Sequence, residues 1–219
     1  MDFSPAFVEL ISQRRNDLRA ELRSIMPEPR AIVLEIGCGH GHFLARYADE
    51  NREKLCVGVD LRSDRIVRAL RKAKHGRLNN CHFVRAEALE FIRALPAGVT
   101  LAEIWVLFPD PWPKKRHHKN RLLQPFFFEI IASRAPEGCR LYFRTDYSEY
   151  FKSVADFLPS LTTWQPAEAP IWPMEHETVF QARADGYQSL VAVRTSHPAR
   201  PTETVAPGLP PTAGPMSPA

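Results

Sequence analysis

The sequence predicts an α/β fold, doubly wound around a mostly parallel sheet, and three observations support that reading. Short apolar runs alternate with helix-length segments from Arg30 to about Leu158. A glycine turn, Gly37-Cys38-Gly39-His40-Gly41, joins the first run to the first of these helices. A carboxylate stands at the end of each of the first three runs or just beyond it: Glu35, Asp60 and Glu87. Strands separated by helices pair in parallel, and sheets built that way are covered on both faces.

Taken in order, residues 3–25 carry apolar side chains at helical spacing (Phe7, Leu10, Ile11, Leu18, Leu22, Ile25), and Pro27-Glu28-Pro29 stops that helix. Ile32 to Ile36 is the first strand, followed by a helix over about 41–49. Leu55 to Val59 is the second, after which Ser63 is placed as the N-cap of a basic helix reaching about Leu78. Phe83-Val84 is the third strand, with a helix over about 88–95, and Leu101 to Phe108 the fourth, with a helix over about 122–135. Arg140 to Arg144 and a helix over 147–158 follow. Val179 to Ala182 and Ser189 to Arg194 are expected to finish the sheet as an antiparallel pair. From His197 onward prolines and small polar residues dominate, a composition that cannot bury enough surface to order itself. The expected organisation is therefore a helical extension (1–29), one domain (30–196) and a disordered Pro-rich tail (197–219).

The 219 residues carry a net charge of +4 and a pI of about 9.0, a modest excess whose distribution matters more than its size. Arg14, Arg15, Arg19 and Arg23 cluster early, the segment from Arg62 to Arg77 is dense in cations with Asp64 as its one acid, and Lys114 to Arg121 adds a third cluster. Such clusters on a balanced chain point to a nucleic-acid backbone. Cys38, Cys56, Cys81 and Cys139 are scattered with no CxxC pair, and they read as reduced core thiols rather than as disulfides or a zinc site. No apolar run approaches the roughly 18 residues of a membrane span. The N-terminus lacks a signal-peptide core, so a soluble, cytoplasmic protein is expected.

The glycine turn sits where open α/β sheets bind ligands, at the carboxyl ends of the strands. A dinucleotide fingerprint needs glycines at relative positions one, three and six. Here they fall at one, three and five, and the sixth position is His42, which counts against NAD. Glu35, directly before the turn, is a poor neighbour for pyrophosphate and a good one for a cation. Asp60 stands where a carboxylate accepts the hydroxyls of a ribose, and Glu87 where it could meet an adenine amino group. A cationic, phosphate-free nucleoside satisfies all three, and S-adenosylmethionine is the obvious candidate.

The fourth run leads into Phe108-Pro109-Asp110-Pro111-Trp112-Pro113-Lys114-Lys115-Arg116-His117-His118-Lys119-Asn120-Arg121. Two prolines restrict the backbone on either side of Asp110. A rigid carboxylate at a strand end beside a dense basic run suggests a catalytic or ligand group next to a polyanion site. A solvated strand-to-helix loop is the plain alternative. His117 and His118 lack partners at metal spacing, so they are assigned to phosphate or packing and no metal is expected.

With these two blocks in place, the chain resembles the bacterial tRNA (guanine-N7-)-methyltransferases, from about Val33 to Arg194. Arg144-Thr145-Asp146 and Thr178-Val179-Phe180-Gln181-Ala182-Arg183 also line up with family segments. The resemblance implies a class I, Rossmann-like, S-adenosylmethionine-dependent methyltransferase fold that methylates guanosine 46 of the tRNA variable loop. It implies cofactor contacts from Glu35, Gly37, Gly39, Asp60, Glu87 and Asp110, with Asp110 also catalytic. Substrate contacts would come from Lys114, Asp146, Thr178 and Gln181, and the tRNA backbone would meet Arg116, His117, Lys119 and Arg121. The family usually reads Thr-Lys-Phe-Glu, with Arg-Gly completing the segment, where this chain has Val179, Gln181 and Ala184. A glutamate accepts from two guanine N–H groups, whereas a glutamine amide offers one acceptor and a donor. Two alternatives therefore stay open: an RNA-binding relative with reduced catalysis, or a methyltransferase acting on another RNA or a small molecule. The partner expected is tRNA, with no membrane, as a monomer or homodimer.

Overall fold

The computed structural model of the chain describes residues 4–169, 171–175 and 185–199. In chain order the strands are β1 (Ala31–Ile36), β2 (Leu55–Asp60), β3 (Cys81–Arg85), β4 (Thr100–Leu107), β5 (Arg140–Thr145), β6 (Trp164–Pro166) and β7 (Gln188–Arg194). They lie side by side as β3-β2-β1-β4-β5-β7-β6, with the first five parallel and β7 antiparallel to both β5 and β6. The helices are α1 (Pro5–Ile25), α2 (His42–Glu50), α3 (Ser63–His75), α4 (Ala88–Ala94), α5 (Pro125–Ala132) and α6 (Ser148–Phe157).

Strand alternation divides the core between two faces. Ile32, Leu34 and Ile36 of β1 join Val57, Val59, Ile104 and Val106 on the face covered by α1, α4, α5 and α6. Val33, Cys56, Phe83 and Trp105 point the other way, toward α2 and α3. The register of β1 against β4 shifts between Ile32 and Val33, so Leu101 and Ile104, three residues apart, reach the same face. Beyond α2, the second face over β4 and β5 is covered by Trp172 and Met174, which pack on this second core.

The structure adjusts several expectations. Only the second half of α1 packs: Leu18 and Leu22 are buried with Met26, while Leu10 is 65% exposed. The helix-spaced apolar face thus runs past the surface available to cover it. Ser63 is the first residue of α3 and Arg62 its cap, with no side-chain capping bond. The helix expected over 122–135 is only Pro125–Ala132, because Pro125 starts it. The partner of β7 is β5 on one side and β6 on the other, a three-residue strand absent from the sequence reading. Val179 to Ala182 lie outside the described residues. All four cysteines are buried and unpaired, and burial raises the Cys56 thiol to about 12. Among the described residues no helix is long and apolar enough to cross a membrane.

Candidate active site

The sheet order reverses between β1 and β4, which opens a crevice at the carboxyl ends of these two strands. Glu35 ends one wall and the loop holding Asp110 leaves the other. Along the same edge lie Asp60 and Glu87, beyond β2 and β3, and Asp146 beyond β5. The structure therefore brings the sequence-selected carboxylates of five parallel strands to one edge.

On the β1 side the glycine turn is stitched down by the backbone. Gly37 and Cys38 donate to the Val59 carbonyl at 2.8 and 3.0 Å, and Gly39 donates to Asp60 Oδ2 at 3.0 Å. The other carboxylate oxygen of Asp60 accepts from the Arg62 amide at 2.8 Å. Gly41 adopts a left-handed conformation, and a Cβ there would come within 2.5 Å of the Phe83 ring. The close helix-to-strand approach assigned to the sixth position of a fingerprint is thus made here by the fifth, and His42 stays exposed.

Glu35 is 4% exposed, and its Oε2 has no hydrogen-bond partner. Burial pushes its pKa up to about 8; the Leu44 amide lowers it in part, and the charge of Asp60 raises it further. A buried carboxyl with an unused oxygen suits a cationic ligand, whose charge would offset the cost of ionising it. Glu87 caps α4 by accepting from the Glu90 amide at 2.9 Å, a helix-capping role beside any ligand role.

On the β4 side the loop is held from both ends. Phe108 and Trp112, which bracket Pro-Asp-Pro, both have positive φ (49° and 46°), strained for aromatic residues. Phe108 donates to the Arg144 carbonyl at 2.8 Å. Arg121 Nε donates to the Pro111 carbonyl at 2.8 Å, and its guanidinium lies 5.0 Å from the Tyr150 ring centroid. Asp110 itself is exposed, so the surrounding structure fixes its backbone while leaving its carboxylate at the crevice.

Arg121 requires a correction. As the end of the basic run it is expected on the tRNA backbone, but it is 4% exposed and committed to Pro111, His118 and the Tyr150 face. A guanidinium buried in this way cannot also meet a phosphate. Lys114, Arg116 and Lys119 remain exposed on the 3-10 turn Lys115–Asn120 and its flank. His117 is half-buried, with its ring edge-on to Trp112.

The residue that sequence reasoning undervalues is Arg144. Its guanidinium makes a bidentate pair with Glu175 at 2.9 Å for both bonds and donates to Ser189 Oγ at 2.8 Å. It also stacks between Trp172 and Tyr187, 4.0 and 4.4 Å from their centroids. A lone charge at the end of the apolar run Leu141-Tyr142-Phe143 is the available signal, since a buried arginine demands partners.

The family model described as "Putative methyltransferase" matches residues 29–185. The tRNA (guanine-N(7)-)-methyltransferase of Bordetella pertussis is 34% identical over 191 residues, 79% of this chain and 75% of that protein. The chain belongs to the tRNA (guanine-N(7)-)-methyltransferase family. A second tRNA (guanine-N(7)-)-methyltransferase, from Treponema pallidum strain Nichols, is 37% identical over 161 residues. That alignment covers 72% of this chain, which spans only 64% of the length of that relative. A 16S rRNA (adenine(1408)-N(1))-methyltransferase from Catenulisporales acidiphilia, solved with cosubstrate SAM, superposes with a TM-score of 0.53. It covers 81% of this chain and 91% of its own at 21% identity, a likeness of fold.

For a member of this family, the described site comprises Glu35, Gly37, Gly39, Asp60, Glu87, Asp110, Lys114 and Asp146, all beyond the carboxyl ends of the parallel strands. Thr178 and Gln181 lie outside the described residues. Glu175, which stands just before that segment, is tied to Arg144.

Proposed function

We propose that this family member transfers a methyl group from S-adenosylmethionine to N7 of guanosine 46, in the variable loop of cytoplasmic tRNA. The observation that carries the reading is the clamped Pro-Asp-Pro loop, which sets Asp110 at the crevice across from the buried, unpartnered Glu35 carboxyl. When bound, the cofactor supplies an electrophilic methyl group on a cationic sulfur.

Glu35 would hold positive charge on the cofactor, Asp60 its ribose and Glu87 its adenine, while Gly37 and Gly39 have no side chain to fill the space beside them. The glycine turn keeps its shape through Asp60 and the Val59 carbonyl, so the pocket is organised by the chain itself. Guanine N7 has an in-plane lone pair and no proton, so the chain need supply no strong base. What it must supply is alignment, and a negative charge near the ring that becomes cationic. Asp110 meets that second need without proton transfer. Lys114, Arg116, His117 and Lys119 would meet the RNA backbone, with Asp146, Thr178 and Gln181 at the base.

Incubation with unmodified tRNA and methyl-labelled cofactor, followed by digestion to nucleosides, tests the reading. Label in 7-methylguanosine is expected. Label in a different nucleoside would overturn it, and tRNA binding without any label would favour an RNA-binding role with lost catalysis.

A further inference from the structure

The edge of the sheet opposite Asp110 carries a second basic feature. The turn after α4, Leu95 to Ala97, lies at the amino-terminal ends of the parallel strands, where Thr100 donates to the Arg30 carbonyl beside the start of β1. The C-terminal half of α1 packs beside it. Between them is an open groove of about 250 Å³, lined by Arg19, Arg23 and Arg93 and by Ala94 to Ala97.

Three guanidinium groups converging on one groove repel one another unless negative charge lies between them. Among the described residues none of the three is ion-paired; on this side of the molecule Glu90 is taken by Arg14. Arg19 bonds the neutral Asn16 side chain, and Arg23 bonds the Arg19 carbonyl. A common use for arginines here would be to satisfy the last carbonyls of α4. That role is already filled by Arg134, which donates to the Leu95 and Pro96 carbonyls at 3.0 and 3.2 Å.

We infer that the groove is a second phosphate-binding site, occupied by a backbone phosphate of the same tRNA whose guanosine enters the crevice. The inference rests on the tRNA reading for the identity of the polyanion. Guanidinium forks match phosphate oxygens in geometry as well as charge. The strand β4 alone is eight residues long, so about 25 Å separates the groove from the Asp110 loop. A mononucleotide cannot occupy both positions, whereas a folded RNA presents phosphates across such a span. The site would thus favour an intact tRNA over a fragment that carries the same guanosine.

The test compares wild type with the Arg19→Gln, Arg23→Gln, Arg93→Gln triple variant. All three side chains are exposed, and thermal melting checks that the fold survives. Full-length tRNA should bind at least tenfold more weakly to the variant, and its log–log salt slope should fall by about 2, three contacts at roughly 0.7 to 0.9 each. Binding of a short oligoribonucleotide, too small to span the two edges, should not change. Wild-type affinity and slope for tRNA in the variant would overturn the inference, as would an equal loss on the short RNA. The comparison reads binding and needs no turnover. If the wild type methylates no tRNA nucleoside, the proposed activity falls and the slopes still judge the groove.

Discussion

The two sides of the crevice are built by different kinds of contact. Around β1 to β3 the carboxylates are organised by backbone groups close in sequence: Asp60 by the Arg62 amide and Glu87 by the Glu90 amide. Around β4 and β5 the Asp110 loop depends on two buried arginines, one of which reaches forward to Glu175 and Ser189. The first side is a pocket that local chain geometry preforms. The second is a strained loop held by distant parts of the chain, as expected where a reacting group must be fixed and yet remain exposed.

The division can be challenged most strongly at Asp110. Asp110→Asn should leave melting unchanged, because the side chain is exposed, and should slow methyl transfer to tRNA by about 10²- to 10³-fold, the cost of one preorganised electrostatic group. Near wild-type single-turnover rates would remove Asp110 from the chemistry. Asp60→Ala should weaken cofactor binding by about 1.5–3 kcal/mol, the scale of a hydrogen bond to a charged group. Calorimetry should show that loss while tRNA affinity holds.

A sharper comparison sets Arg121 against Arg116. Arg121→Ala strands the Pro111 carbonyl and should lower stability in urea by about 1–3 kcal/mol. Arg116→Ala, on the exposed turn, should change stability by less than about 0.5 kcal/mol and should instead weaken tRNA binding. Identical profiles for the two variants would mean that burial does not separate structural from RNA-facing cations in this run.

Glu35 gives a pH signature to the first side. Its folded-state pKa of about 8 lies above the ordinary 4.5, so the folded protein keeps a proton that the unfolded chain releases. The stability contributed by this group is fully present below about pH 4.5 and is lost as pH rises through about 8. Melting of the cofactor-free protein should decline across that window, and Glu35→Gln should flatten the decline. The smallest expected effect is at Gln181, where Gln181→Glu should raise turnover or discrimination for guanosine by a few-fold through one recovered acceptor, measured as kcat/KM on tRNA.

The parts of the fold that are legible in the sequence are those set by local patterning. Alternating apolar runs and helices mark the five parallel strands, and the glycine turn with Glu35 and Asp60 marks the cofactor side of the crevice. Two prolines around Asp110 signal a rigid loop. Neither the left-handed Phe108 and Trp112 nor the contacts that hold them can be read from spacing, because those contacts join residues far apart in the chain or turn a solvated run inward. Arg121 shows the limit: as the last of a row of cations it looks like its neighbours, and only the packing of Tyr150 and Pro111 around it sets it apart. The short β6 escapes the sequence for a related reason, since three residues carry no periodicity and its pairing with β7 supplies the order.

The most direct test of the account maps the methyl group itself. Unmodified tRNA is treated with wild type or with Asp110→Asn and then cleaved chemically at 7-methylguanosine. A single cleavage in the variable loop with wild type, nearly absent with the variant, is the predicted result. Cleavage at another guanosine, no cleavage with wild type, or equal cleavage by the two proteins would contradict it.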